Sequence, residues 1–387
     1  MKALEKNIQD KVELSIVFYH DKHVEPFTLG ATKYYPVNRY TSGKVSKIKQ
    51  RILNSIEPDA DVRTFVNIIN QVKPDVIHIH GTETPYGLVQ KFVDIPTVVS
   101  IQSIIIVYRY KYFSTISLND IARHSNLKDT LFFRTFNNVY KRFGKMAARE
   151  QEIYNHTKHL IGRTAWDRRV ASVLAPKAAY HHNDEILRPV FYQHQWHEPT
   201  GDKLMLFTTN GPDIYKGIET LLDCAYLLDN NNIDYEWQVA GLTAADETVK
   251  IAARTIGKPV SKSIRFLGSI NDQDLAQALL KTHIYISTSH IENSPNSLCE
   301  AQILGMPCIA TFAGGTNTLL KDNKDGLLIQ DADPFAMAGA IKETRANYQK
   351  AIAMANHGRA KALIRHDADQ ITTDLLHIYE TILRANT

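Results

Sequence analysis

At 387 residues the chain exceeds what one ordinary hydrophobic core organises, so two domains are expected. Hydrophobic residues at 44% with 22% charged fit a soluble globular protein, and 45 Lys+Arg against 41 Asp+Glu is too even to argue for nucleic acid. The three cysteines, Cys224, Cys299 and Cys308, lack metal-ligand spacing and cannot build a disulfide framework, which leaves buried free thiols in a reducing compartment.

Met1–Lys11 is polar and charged, so no secretory signal is read there. The most apolar window, Ile95–Tyr108, is short and holds Pro96, Gln102 and Ser103, so it cannot span a bilayer. A cytoplasmic protein is expected.

Along the chain, Met1–Asp10 reads as the tail of a helix with Leu4 and Ile8 on one side. A strand follows at Val12–Tyr19, and Val62, Phe65, Val66 and Ile69 then share one helical face. Asp75–His80 is a strand ending at Gly81. Ile95–Ile101 is another, and His159–Gly162 a further short one. The stretch from Leu187 to Asp202 has no period and carries Pro189, Pro199 and Gly201, so it reads as a linker.

A second alternation begins near Lys203. Strands are expected at Leu204–Thr208, Trp237–Ala240, Ile264–Leu267, His283–Ser287 and Pro307–Thr311, and a helix carrying Ile218, Leu221, Leu222 and Ala225 follows the first of them. Ile371, Leu375, Leu376, Tyr379 and Ile382 mark a C-terminal amphipathic helix. The division is therefore 1–186, a linker 187–202, 203–365, and a helix 366–387 that packs back on the first domain. Strands alternating with helices predict an α/β fold with parallel sheets, and two such halves imply a cleft.

The most informative segment is Ser287–Gly315. A strand runs into a polar loop and then into a helix starting near Ser297, capped by Asn296 or Ser297. The open amides and positive dipole end of such a helix suit a diphosphate. Glu292 lies in the loop and Glu300 in the first helical turn, with seven residues between them, which lets both carboxylates face one crevice and accept hydrogen bonds from sugar diols. Ser297-Leu-Cys-Glu300 equally fits a capping box, in which Glu300 only closes the helix start. Gly305-Met-Pro307 ends the helix, and Ala313-Gly-Gly315 follows the next strand, where glycines permit close approach of a ligand.

This ensemble resembles the donor-site signature of family 4 glycosyltransferases, and Asp325-Gly326-Leu-Leu-Ile329 is similar to its continuation. The resemblance implies a GT-B fold, two Rossmann-like doubly wound domains with a cleft between them. It also implies retaining transfer from a UDP- or GDP-sugar to a glycan or lipid-linked acceptor, with no cofactor or metal, in cell-surface polysaccharide synthesis.

Phe207–Gly217 resembles the family's diphosphate loop. Lys216 matches its lysine, Gly217 follows, and Asn210 stands where an arginine is usual. Carried over, Glu292 and Lys216 are the catalytic residues. Glu300 holds the ribose, and Asn210, Gly217, Asn296, Ser297 and Leu298 complete the donor site. His80 and Gly81, at the end of a strand, resemble a cleft-lining segment; His78 shares the sheet face of His80, and either histidine also fits a buried, satisfied role. Gln102 falls where relatives have a histidine touching the donor sugar. Arg163 and Glu185 reach the cleft or form a structural ion pair.

The first glycine is Gly30, whereas family members begin with a strand and a glycine-rich loop. The chain is therefore expected to start within the first helix, without that strand and loop. Residues 108–149 interleave aromatic and basic residues (YRYKYF, FFRTF, YKRFGK), which fits peripheral contact with an anionic membrane or a helical hairpin covering the sheet. The rival functions are a nucleotide-sugar epimerase of the same fold and a non-catalytic nucleotide-sugar-binding protein.

Overall fold

The computed structural model describes residues 2–8, 10–38, 48–49, 51–58, 60–125, 130–131 and 135–385. The first half runs α1 (Lys2–Ile8), β1 (Ser15–His20), β2 (Phe27–Leu29), β3 (Thr32–Asn38), α2 (Ala60–Val72), β4 (Ile77–His80), β5 (Thr97–Ser100), α3 (Ile105–Lys111), α4 (Leu118–His124), α5 (Phe136–His156), β6 (His159–Gly162), α6 (Ala165–Leu174) and β7 (Ala179–His182). Its strands form two sheets. β4-β5-β6-β7 is wholly parallel, with Ile79 opposite Val99, while β1 pairs β3 in parallel and β2 joins β3 antiparallel. The two sheets are not paired with each other among the described residues, yet they share one core in which Phe65, Ile79, Val99 and Leu160 pack with Val17 and Tyr19.

The second half is β8 (Leu204–Thr209), α7 (Ile218–Asn230), β9 (Tyr235–Ala240), α8 (Glu247–Ile256), β10 (Ile264–Gly268), α9 (Asp272–Leu280), β11 (Ile284–Ser287), α10 (Asn296–Leu304), β12 (Cys308–Thr311), α11 (Thr316–Leu319), β13 (Leu327–Ile329), α12 (Pro334–Ala346) and α13 (Tyr348–Arg365). Its six strands are all parallel in the order β10-β9-β8-β11-β12-β13. Near-continuous apolar strands such as Ile284–Ser287 and Cys308–Thr311 are buried along their whole length, as strands covered by helices on both faces must be. The order reverses between β8 and β11, and loops leaving the carboxyl ends of such a neighbouring pair diverge to opposite faces and leave a crevice. All three cysteines are buried free thiols.

The halves are held together at several places. Pro189–Gln193, within the expected linker, is a short 3-10 turn whose Val190 and Phe191 are buried in the second half's core. α14 (Ala368–Arg384) returns to the first half, where Leu375, Ile378 and Ile382 cover Val98 and Ile161. The segment α3–α4 behaves as an arm reaching the other way. Ile116 and Ile121 are buried in the second half's core with Leu221 and Val249, and Tyr108 and Tyr112 pack on Tyr215 and Ile291.

Of the apolar side chains in that basic, aromatic stretch, Tyr108, Tyr112, Ile116 and Ile121 are therefore used between the halves rather than to cover the first half's sheet as a hairpin. Tyr110, Leu118 and Leu131 remain exposed. Phe132, Phe133 and Arg134 of the same stretch lie outside the described residues. Among the described residues no helix is long and apolar enough to cross a membrane.

Candidate active site

Two loops meet at the strand-order reversal. The loop after β8 needs a sharp turn before α7, and Gly217 makes it with φ +70°. A Cβ there would lie 2.0 Å from the carbonyl oxygen of Thr288, so only glycine lets the two loops touch. The Thr288 hydroxyl donates to the Lys216 carbonyl at 2.9 Å, and the Asn210 amide donates to the same carbonyl at 3.2 Å. Asn210 is itself buried and accepts from the Gly211 amide at 2.8 Å. Through these bonds it braces the loop.

With its backbone so fixed, Lys216 extends its ammonium to Glu292, Nζ to Oε1 at 2.6 Å. The Ser289 hydroxyl donates to the same carboxylate oxygen at 2.8 Å. The loop after β12 supports this arrangement from below. A Cβ on Gly314 would lie 2.2 Å from the Glu292 carbonyl oxygen and one on Gly315 2.0 Å from that of Asn293, and the Gly315 amide donates to Glu292 at 2.8 Å. These glycines therefore allow close approach of the Glu292 loop.

α10 begins at Asn296, and the capping position is Pro295, with no side-chain cap. This overturns the expected caps at Asn296 and Ser297, and it leaves the first amides unclosed by any side chain. The Leu298 amide bonds back to Pro295 at 3.1 Å, and its side chain is fully buried in the second half's core. Gly305, with φ +87°, ends the helix ahead of Pro307.

The capping-box reading of Glu300 also fails. Both its oxygens accept from Arg188, Nε and Nη2 each at 2.7 Å, while Arg188 also lies over the Phe191 ring. Burial raises the Glu300 pKa, and the guanidinium opposes that rise. The two glutamates thus face different cations, Glu292 a lysine and Glu300 an arginine that sequence reasoning did not single out. Arg188 stands 112 residues from Glu300, in a segment with no periodic signal to mark it.

First-half candidates lie on the opposite wall. His80, Gln102, Arg163 and Glu185 line a cavity, open to solvent, at the carboxyl ends of β4–β7. Arg163 pairs with Glu185 and donates to the Ile101 carbonyl at 2.7 Å and to the Gln102 side chain at 3.2 Å. His78 bonds to Tyr379 and Ser100, each at 2.7 Å, which makes it a satisfied structural residue. Gly81 takes φ +84° at the end of β4.

Asn293 joins the two walls. Its Nδ2 donates to the Gln102 carbonyl at 3.3 Å, and it accepts from the Thr164 hydroxyl at 2.9 Å, so Gln102 sits beside the Glu292 loop. His80 lines the cavity, and Gly81 follows it at the end of β4.

Residues 192–361 match the family model for glycosyl transferases group 1, a region that contains both loops and α10. The chain is 27% identical over 123 residues to a D-inositol 3-phosphate glycosyltransferase of Corynebacterium urealyticum, covering 32% of this chain and 29% of that protein. It is 31% identical over 116 residues to the UDP-Gal:alpha-D-GlcNAc-diphosphoundecaprenol alpha-1,3-galactosyltransferase of Escherichia coli, covering 29% of each chain. The match therefore spans less than a third of the length of either relative. Among solved structures, sucrose-phosphate synthase from Thermosynechococcus elongatus superposes with a TM-score of 0.77 at 13% identity, over 99% of this chain and 92% of that one. The fold is GT-B.

Proposed function

We propose that the chain is a glycosyltransferase that moves a sugar from a UDP- or GDP-sugar to a glycan or lipid-linked acceptor, with retention and without a metal, in cell-surface polysaccharide synthesis. The observation that carries this reading is the Lys216–Glu292 pair at 2.6 Å, standing where the strand order reverses and beside the uncapped start of α10. A nucleotide sugar carries both features that would part these groups. Its diphosphate is an anion for the ammonium and the helix amides, and its hydroxyls are donors for the carboxylate.

In this scheme Lys216, the Gly217 amide and the first amides of α10 stabilise the charge that develops on the departing diphosphate, a contribution worth roughly 10²–10³ in rate for one such donor. Glu292 orients the sugar, and Glu300 takes the ribose once Arg188 yields its bidentate hold. No covalent nucleophile is assigned. The departing phosphate oxygen takes the acceptor's proton, and the acceptor approaches from the first-half cavity beside Gln102 and His80. Support for the donor class comes from the group 1 match over the same loops and from the Escherichia coli relative, whose name specifies UDP-Gal and a diphosphoundecaprenol-linked sugar.

A second reading, nucleotide-sugar binding without transfer, is favoured by Asn210, which leaves Lys216 as the cation of this loop where the resemblance leads one to expect a pair. A panel of UDP- and GDP-sugars, assayed for nucleotide release with EDTA present, separates the two. Transfer predicts release of one nucleotide with EDTA making no difference. Tight nucleotide binding with no release from any donor supports the second reading, and release abolished by EDTA contradicts metal independence.

A further inference from the structure

The loop that carries Glu292 is anchored by a buried charged cluster outside the pair already described. The His290 side chain is completely buried, and its Nε2 bonds to Glu219 in the first turn of α7. Its Nδ1 faces Asp331, just beyond β13, at 3.7 Å, an ion-pair distance longer than a hydrogen bond. The His290 amide donates to the Tyr215 carbonyl at 2.8 Å, and Nε2 lies 3.5 Å from where a Gly217 Cβ would stand, so the ring packs on the turn that presents Lys216.

Both carboxylates are also gripped by the arm. Thr115 donates to Glu219 at 2.8 Å and Lys111 pairs with Asp331 at 2.9 Å. A neutral imidazole has one N–H and one lone pair, so it can satisfy one carboxylate while repelling the other. Two largely buried carboxylates served by one lysine would also leave a negative charge uncompensated.

We infer that His290 is a positioning residue: as an imidazolium between Glu219 and Asp331 it locks the Glu292 loop onto the Lys216 turn and ties both to the first half's arm. Its effect on turnover rests on the function proposed above; the lock itself does not. Burial works against the charge, but Asp331 and Glu219 outweigh it and hold the His290 pKa at about 9, while His290 and Lys111 draw Asp331 down to about 2 against its own burial. Among the described residues the charged groups paired with the ring are Glu219 on α7 and Asp331 beyond β13; Lys111 of α3 pairs with Asp331, and Lys216 and Glu292, which pair with each other, lie in the adjoining loops. Because the folded-state pKa is raised, the stabilisation is complete below the ordinary histidine value near 6.5 and disappears as pH rises through about 9.

The test combines histidine-selective ¹⁵N NMR of the full chain, assigned with His290→Asn, with kinetics and melting between pH 6 and 10. The expected results are a ring that titrates near pH 9 and moves higher in Lys111→Ala, which removes a neighbouring cation. Donor turnover in His290→Asn should fall roughly tenfold or more in kcat with KM little changed, and its pH profile should lose the wild-type decline toward pH 9. A ring already neutral at pH 7.5 overturns the inference, as does a folded His290→Asn with wild-type kcat and wild-type pH profile. Should the wild type turn over no donor at all, the functional reading fails while the titration and the pH-dependent melting still decide the lock. Should His290→Asn not fold, the wild-type and Lys111→Ala titrations decide it.

Discussion

At the scale of single residues, the charges of the site neutralise one another. Lys216 balances Glu292 and Arg188 balances Glu300, so neither carboxylate stands as a bare charge in a poorly hydrated crevice. Glu292 and Glu300 could be singled out in the sequence because their spacing within one strand–loop–helix unit is a local property, whereas Lys216, 76 residues from Glu292, was singled out only through the resemblance of its loop to the family's. Arg188, His290, Glu219 and Asp331 were not, because each acts on a partner far away in the chain and no periodicity marks such pairs. Replacing Arg188 by alanine leaves Glu300 buried and unpaired. Arg188 is about half exposed, so solvent screening moderates the penalty to about 1–2 kcal/mol, read as a lower denaturation midpoint. The same variant should bind the nucleotide more tightly, because the ribose no longer competes with a guanidinium. Unchanged stability together with weakened nucleotide binding would instead make Arg188 a direct donor contact.

Elements matter here mainly as supports. Gly217 is required twice, by its positive φ and by the Thr288 carbonyl pressed against it. Gly217→Ala should therefore strain the turn by about 1–3 kcal/mol and weaken donor binding by roughly tenfold or more, measured by calorimetric titration with the nucleotide. Wild-type affinity in that variant would mean that the two loops separate at no cost.

The arm is the clearest case of an element whose role was hidden. Its aromatic and basic composition suits a membrane face as well as a hairpin, and only the tertiary structure shows Ile116 and Ile121 inside the second half's core. The start of α3 has no cap of its own. Instead Glu150 of α5 accepts from the Ile105 and Ile106 amides at 3.1 and 2.7 Å, a buried carboxylate at a helix N-terminus. Burial pushes the Glu150 pKa up to about 7 despite those bonds. Ile116→Ala should cost about 2–5 kcal/mol, as cavity-forming changes in cores do, and the loss should show in urea unfolding of the second half as well as the first. Destabilisation confined to the first half would contradict the arm's bridging role.

For the whole molecule, the alternation of apolar strands with helical periodicity was enough to predict parallel α/β sheets, because buried strands and amphipathic helices write their periods directly into the sequence. Less was legible of how the first half's strands divide. β2, β3 and β7 are short, half-exposed or polar, as Ala179–His182 illustrates, and carry no apolar run by which to recognise them. Closure of the halves was legible only in part. The return of the C-terminal helix onto the first half follows from its amphipathic period, and α14 does cover Val98, whereas Asn293 meeting Gln102 and Thr164 joins segments well over a hundred residues apart that no period marks.

The central claim is that Lys216 and Glu292 leave each other for the two ends of a nucleotide sugar. It is tested most directly by nucleotide release from the donor the panel identifies, comparing wild type with Lys216→Ala and Glu292→Gln after circular dichroism has shown all three folded. The account predicts that each substitution lowers kcat/KM by roughly 10²-fold or more. Near-normal release from either folded variant would contradict it.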